Sequence, residues 1–151
     1  MMHSGKILLV EDDPYDVELT LSALAENHLT NEVVVVRDGV EALDYLYRRG
    51  AYESRVAGHP VVMLLDLKLP KVDGLEVLER VKSNPNLKTT PVVMLTSSHE
   101  GQDLARSYNL GTNAYVVKPV DFTDFVEAIR ELGLFWAVVN QPPPGSAGQT
   151  H

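Results

Sequence analysis

The chain has 151 residues, of which 13 are basic and 21 acidic, so that its formal net charge is −8, and it contains no cysteine. This length suits one domain with a core of its own. The lack of cysteine excludes disulfides, thiolate metal sites and cysteine nucleophiles, and the acidic balance disfavours nucleic-acid binding. No apolar run approaches the ~20 residues of a membrane span, and Ile7–Val10 is too short for a signal peptide. We therefore expect a cytoplasmic protein that binds neither nucleic acid nor membrane.

Five short apolar runs rich in β-branched residues alternate with segments of helical spacing. The runs are Lys6–Val10, Glu32–Val36, Val61–Leu65, Pro91–Leu95 and Ala114–Val117. Because most are continuous rather than alternating, they are typical of parallel strands covered on both faces. The predicted helices run from Pro14 to about Asn27, Gly39 to about Arg49, Gly74 to about Ser83 and His99 to Leu110, with a last helix capped by Asp121. This fivefold β-α pattern predicts an α/β fold, a parallel five-stranded sheet with helices on both faces.

Two segments fall outside this pattern. The polar stretch Gly50–Pro60 is longer than a usual connection and is expected to be a mobile surface loop. Residues 142–151, which begin with three prolines, are expected to be a disordered tail because they carry too little apolar surface to bury.

Polar residues follow four of the five predicted strands at their carboxyl ends, where ligands bind in open parallel sheets. Taken singly, each has a simpler explanation as a helix cap, a loop residue or a turn, and Asp13 is best explained as a cap. Taken together they converge on one edge: Glu11 and Asp12 after the first strand, Asp66 after the third, Thr96 after the fourth and Lys118 after the fifth. Three carboxylates this close either raise each other's pKa or require a cation. Oxygen ligands favour Mg²⁺.

Such a set of groups suits phosphoryl transfer. An aspartate carboxylate can attack phosphorus to give an acyl phosphate, and the transferring group carries its charge on three equatorial oxygens. Mg²⁺, Lys118 and the Thr96 hydroxyl with a backbone N–H could each stabilise one of those oxygens.

The chain resembles the receiver domain of two-component response regulators at four stretches: Ile7–Asp13, Leu64–Gly74, Val92–Ser97 and Ala114–Pro119. The resemblance covers residues 5–133 with the family's spacing. It implies a doubly wound, flavodoxin-like fold with strand order 2-1-3-4-5 and five helices. The loop 50–60 and the segment Phe135-Trp136 are most similar to small free-standing receivers that serve phytochrome-type histidine kinases.

The resemblance also implies a role for each acidic residue of the edge. Asp66 matches the phosphoacceptor. Glu11 and Asp12 match the acidic pair that holds Mg²⁺, and Asp66 with the backbone carbonyl of Lys68 would complete the protein ligands. A phosphorylated histidine on the partner kinase would donate the group to Asp66.

The resemblance implies that the remaining matched residues respond to phosphorylation of Asp66. Thr96 matches the switch hydroxyl and Tyr115 the aromatic side chain that moves with it, while Lys118 matches the lysine that contacts a phosphoryl oxygen. The peptide bond from Lys118 to Pro119 is usually cis in the family. Lys68 and Ser98 would line the route of the water that hydrolyses the acyl phosphate.

No second domain is visible, so we expect output through a protein-binding surface rather than through catalysis. Residues 134–141 extend the last helix with apolar side chains. They predict a homodimer through that helix, although they could equally fold back as a cap on the core.

Three other functions fit the sequence less well. A phosphatase of the haloacid dehalogenase type requires an acid two residues after its nucleophile, where Lys68 stands. A flavin binder needs a phosphate loop after the first strand, where three acids stand instead. A scaffold that is never phosphorylated would not need the complete set of site residues.

Overall fold

The computed structural model describes residues 5–29, 31–96, 109–112, 114–117 and 122–140; for Thr96, Tyr115, Val117 and residues 132–140 it describes the backbone alone. The strands are β1 (Ile7–Val10), β2 (Val33–Val36), β3 (Val62–Asp66), β4 (Val92–Thr96) and β5 (Ala114–Val117). The helices are α1 (Pro14–Glu26), α2 (Gly39–Tyr47), α3 (Gly74–Ser83) and α4 (Phe122–Asn140), with a short 3-10 helix at Gly50–Tyr52.

The strands form one parallel sheet in the order β2-β1-β3-β4-β5. Side chains of α2 and α3 pack in the core on one face of the sheet, and those of α1 and α4 pack in the core on the other. The doubly wound, flavodoxin-like α/β class predicted from the sequence is therefore confirmed. Four of the five predicted helices lie within the described residues. Of the other, His99–Leu110, only Asn109 and Leu110 are described, and both are helical.

The central strands are buried on both faces, which explains their unbroken apolar runs. All four residues of β1 are at most 1% exposed, and Val62 to Leu65 of β3 are fully buried. Strands covered in this way show no alternation of polar and apolar residues.

Three helices begin at an aspartate cap, and each cap fixes where the preceding strand–helix loop ends. Asp13 accepts a hydrogen bond from the N–H of Tyr15 at 2.9 Å, with Pro14 in the first turn of α1, as predicted. Asp38 caps α2 and Asp73 caps α3 in the same way. An aspartate at this position accepts a hydrogen bond from an N–H of the first turn that has no partner within the helix. Its negative charge also interacts favourably with the positive end of the helix dipole.

The last helix, α4, is longer than the others. It runs without interruption from Phe122 to Asn140 and so passes through residue 133, the predicted end of the domain. Its predicted cap, Asp121, lies outside the described residues. No helix in the described part of the chain is both long and apolar enough to cross a bilayer.

The segment 50–60, for which the sequence predicted a mobile loop, is anchored to α2 at several points. Arg55 donates from Nε to the carbonyl of Tyr45 at 2.7 Å, and its guanidinium lies 4.0 Å from the centre of the Tyr45 ring. Tyr52 donates its hydroxyl to Glu41 at 2.6 Å. Burial, together with this hydrogen bond to Glu41, raises the pKa of Tyr52 from 10.0 to about 12. These contacts argue against a freely moving loop.

Candidate functional site

Three carboxylates lie together at the carboxyl edge of the sheet. Glu11, Asp12 and Asp66 each offer an oxygen atom that lies within 4.8 Å of the other two. Glu11 is 1% exposed and Asp66 8%, whereas Asp12 is open to solvent. The predicted convergence of these three carboxylates is confirmed, and we call the three residues the acidic cluster.

The register of the sheet brings the cluster together. β1 and β3 are parallel neighbours in which Val10 pairs with Leu65, so the residues that follow them, Glu11 and Asp66, lie side by side. The N–H of Glu11 donates to the carbonyl of Val36 on β2, which extends the sheet geometry by one residue.

Local hydrogen bonds orient the two buried carboxylates. Glu11 accepts at Oε2 from the N–H of Asp13 at 3.2 Å, and Asp66 accepts at Oδ1 from the N–H of Lys68 at 3.4 Å. A buried carboxylate requires such donors, or a cation, because its charge is costly to remove from water.

Gly74 allows the chain to turn tightly beside Asp66. A Cβ at this position would lie 2.2 Å from the carbonyl oxygen of Asp66, and the N–H of Gly74 donates to the carbonyl of Leu67 at 2.9 Å. Only glycine fits such an approach without a shift of the backbone. No motif in the sequence singles out Gly74 as a site residue, and its place directly after the Asp73 cap is the one local signal of its role.

A cavity of about 490 Å³ opens beside the cluster, within the size range of small-ligand sites. Asp12 lines one side, and the β3–α3 segment with the start of α3 lines the rest: Leu67, Lys68, Leu69, Pro70, Asp73 and Leu75. The carboxylate oxygens are hard ligands, which suit a divalent cation such as Mg²⁺ or Mn²⁺. The cluster can therefore hold a divalent metal.

The other predicted site residues are only partly described. The backbone of Thr96 ends β4 directly after Leu95, which pairs with Asp66, so the chain at Thr96 passes next to the cluster. Tyr115 lies on β5 opposite Met94. The side chains of Thr96 and Tyr115 are not described, and Ser98, Lys118 and Pro119 lie outside the described residues. The roles of these five residues, and the cis bond before Pro119, stay predictions.

Comparison with known proteins identifies relatives over nearly the whole domain. The family model for the response regulator receiver domain matches residues 7–130. The chain is 41% identical over 130 residues to the response regulator Rcp1 of Synechocystis sp., covering 86% of this chain and 87% of that protein. The structure of the Mn²⁺-bound form of Rcp1 superposes with a TM-score of 0.80 at 38% identity, covering 92% and 97% of the two chains.

Two further solved structures are similar. The bacteriophytochrome response regulator RtBRR is 62% identical, with a TM-score of 0.78 over 96% of this chain and 87% of that one. The phosphorylated cyanobacterial phytochrome response regulator RcpA is 41% identical, with a TM-score of 0.84 over 93% and 99%. The chain therefore belongs to the response regulator receiver domain family, whose members accept a phosphoryl group in two-component signalling.

Proposed function

We propose that the chain is a single-domain response regulator that takes a phosphoryl group from a histidine kinase onto Asp66, with Mg²⁺ bound at the acidic cluster. The observation that carries this proposal is the cluster itself, which lies at the carboxyl edge of a sheet whose family accepts phosphoryl groups. A carboxylate attacks phosphorus well once neighbouring charge has been neutralised.

The surroundings of the three carboxylates favour Asp66 as the nucleophile. Glu11 is 1% exposed against 8% for Asp66, so it is the less accessible of the two to a partner protein. Asp12 follows β1 and faces the open cavity. Asp66 ends β3, the central strand, which has the acids of β1 on one side and Thr96 of β4 on the other. Groups from both sides can therefore act on a phosphoryl group at Asp66.

Glu11, Asp12, Asp66 and the backbone carbonyl of Lys68 are the proposed ligands of Mg²⁺. All four are oxygen donors, and Lys68 lines the cavity with Asp12. The ion would offset the negative charge of the cluster and of the incoming phosphoryl group.

The chain's own part in the transfer is nucleophilic attack and orientation. A carboxylate oxygen of Asp66 forms a bond to phosphorus while the bond from phosphorus to the kinase histidine nitrogen breaks, and the imidazole leaves. We assign Lys118 and Thr96 to the phosphoryl oxygens. Lys68 and Ser98 would flank the water that later hydrolyses the acyl phosphate.

The proposed response is a two-state switch. Movement of Thr96 towards the phosphoryl group would free space that Tyr115 turns to fill. The affected surface would comprise β5, α4 and the helix that the sequence predicts at residues 99–110.

We further infer that the partner kinase is of the phytochrome type. RtBRR and RcpA, at 62% and 41% identity, are named as response regulators of bacterial and cyanobacterial phytochromes. Transfer from a phosphorylated phytochrome kinase, but not from an unrelated kinase, is the expected result. Equal transfer from both would contradict this partner.

Labelling of an Asp66→Asn variant tests the proposed function. In Mg²⁺ with a phosphorylated kinase or a small phosphodonor, the wild type should acquire one hydroxylamine-sensitive label, and the variant none. Glu79→Gln is the matched control, because it also replaces one carboxylate by an amide, at an exposed position of α3 outside the cavity. Undiminished labelling of Asp66→Asn would refute Asp66 as the acceptor.

A homodimer through α4 and residues 134–141 is the proposed assembly. It is supported by the length of α4, which continues to Asn140, and by the apolar character of its last turns. Sedimentation of the wild type and of a chain ending at Gly133 should give a dimer and a monomer. Monomer mass for both would exclude this dimer.

A further inference from the structure

The β3–α3 segment, residues 67–73, is held from outside the site by the first turn of α2. The N–H of Gly39 donates to the carbonyl of Pro70 at 3.4 Å, and Nζ of Lys71 lies 3.5 Å from Oδ2 of Asp38. A Cβ at Gly39 would lie only 1.9 Å from the carbonyl oxygen of Val72. We call these five residues the α2 clamp.

The contacts of the α2 clamp restrain the β3–α3 segment next to a residue with a strained backbone. Lys71 has a φ of +70°, a conformation that L-residues rarely adopt and that must be held by its surroundings. Asp38 contributes twice, because its Oδ1 caps α2 through the N–H of Glu41 at 2.8 Å while its Oδ2 faces Lys71. On the other side the N–H of Gly74 fixes the carbonyl of Leu67.

Between these two fixed points lies Lys68. Its backbone carbonyl is a proposed metal ligand, and its N–H donates to Asp66. Mg²⁺ requires near-ideal octahedral geometry, so a small displacement of one ligand weakens binding.

We propose that Gly39 and Asp38 are positioning residues that set the Mg²⁺ affinity of the acidic cluster by fixing the β3–α3 segment. The proposal rests on the proposed function, since it requires that the cluster bind Mg²⁺. Neither residue belongs to the cluster itself. The side chain of Asp38 is only 19% exposed, so its ion pair with Lys71 is partly shielded from solvent and adds to the restraint from the close approach of Gly39 to Val72.

The principal test compares Gly39→Ala with Val40→Ala. The new methyl group at residue 39 meets backbone rather than a flexible side chain, so the segment must move. Val40, the next residue of α2, is partly exposed and serves as the matched control. Loss of an outer support costs a metal site roughly 10- to 100-fold in affinity.

The measurement is the Mg²⁺ dependence of labelling by a small phosphodonor. Gly39→Ala should raise the Mg²⁺ concentration at half-saturation by about tenfold, with a maximal rate close to that of the wild type. Val40→Ala should leave both values unchanged. A purely structural role would lower the maximal rate of folded Gly39→Ala without changing the half-saturation, and that result would overturn the proposal.

The ion pair between Lys71 and Asp38 provides a second test. Here the loss of the restraint and the loss of the charge predict opposite changes in Mg²⁺ affinity. Lys71→Met removes a positive charge near the cluster, which on charge alone would tighten Mg²⁺ binding. Loss of the clamp predicts weaker binding instead. Arg80→Met is the control, since Arg80 also forms one exposed ion pair, with Glu76 at 2.7 Å.

The outcomes separate the two proposals. If the wild type shows no Mg²⁺-dependent labelling, the proposed function fails. If the wild type is labelled but Lys71→Met binds Mg²⁺ as tightly as Arg80→Met or more tightly, the clamp fails alone. Lys71 is mostly exposed, so this variant should fold even if Gly39→Ala does not.

Discussion

Replacing Asp66 by asparagine should stabilise the metal-free protein, because it removes one of three clustered carboxylates. Two unit charges 4.8 Å apart, the upper limit within the cluster, repel by about 3.5 kcal/mol at an effective dielectric of about 20 and by about 1 kcal/mol in water. The buried pair with Glu11 lies nearer the first figure, and the pair with exposed Asp12 nearer the second. The amide side chain of the variant would keep an oxygen acceptor for the N–H of Lys68.

Asp66 and Glu11 each have a further interaction, and its weakening would offset part of this gain, so we expect a net gain of about 2 kcal/mol in the free energy of unfolding. For a chain of this size that gain raises the melting temperature by roughly 4–8 °C. Urea and thermal unfolding followed by circular dichroism, in EDTA and in excess Mg²⁺, measure it.

The same experiment also compares how strongly Mg²⁺ stabilises the wild type and the variant. Mg²⁺ at a hundred times its dissociation constant should stabilise the wild type by about 2.7 kcal/mol, and Asp66→Asn by much less. Glu79→Gln, which removes an exposed charge outside the cluster and the cavity, should differ from the wild type by no more than about 0.5 kcal/mol. A lower stability of Asp66→Asn than of the wild type in EDTA would refute the reasoning.

Three further substitutions test the surroundings of the site. Gly74→Ala should destabilise the fold by about 1–3 kcal/mol in urea unfolding, because the methyl group would meet the carbonyl of Asp66; unchanged stability would contradict the close approach. Tyr52→Phe should remove a fall in the free energy of unfolding between about pH 10 and pH 12. The pKa of Tyr52 is raised to about 12 in the folded protein, so its hydroxyl stabilises the fold fully below pH 10 and loses this effect as the pH rises. Parallel pH profiles of stability for the variant and the wild type would contradict this prediction. Arg55→Met should speed limited proteolysis within residues 50–60, because the segment loses its hydrogen bonds to backbone carbonyls, whereas Arg80→Met should not.

The sequence sufficed for the fold class because the central strands bury both faces. β1, β3 and β4 therefore appear as continuous apolar runs, and the helices between them keep helical spacing. The segment 50–60 shows the limit of this approach. Its anchors join residues about ten positions apart, such as Tyr52 with Glu41 and Arg55 with Tyr45. No periodic pattern reports such contacts, so from the sequence alone this polar stretch is expected to be a mobile loop.

The acidic cluster was also predictable, because carboxylates directly after parallel strands meet at one edge. The two glycines that shape the site were not. Whether Gly39 or Gly74 has room for a methyl group depends on backbone from another part of the chain, at Val72 and Asp66 respectively. The signal that could have found them is local: each glycine directly follows an aspartate that caps a helix.

Strand order, rather than sequence proximity, creates the cluster. β2 follows β1 along the chain but lies on the outside of the sheet, so β1 and β3 become neighbours and bring Glu11 beside Asp66. The fold thereby holds like charges together, and its stability is lower for it. The same repulsion contributes to the free energy of cation binding, because a divalent ion relieves it. Stability in EDTA and stabilisation by Mg²⁺ should therefore vary in opposite directions among variants of the acidic cluster, whereas variants of the α2 clamp should lose metal affinity without gaining stability.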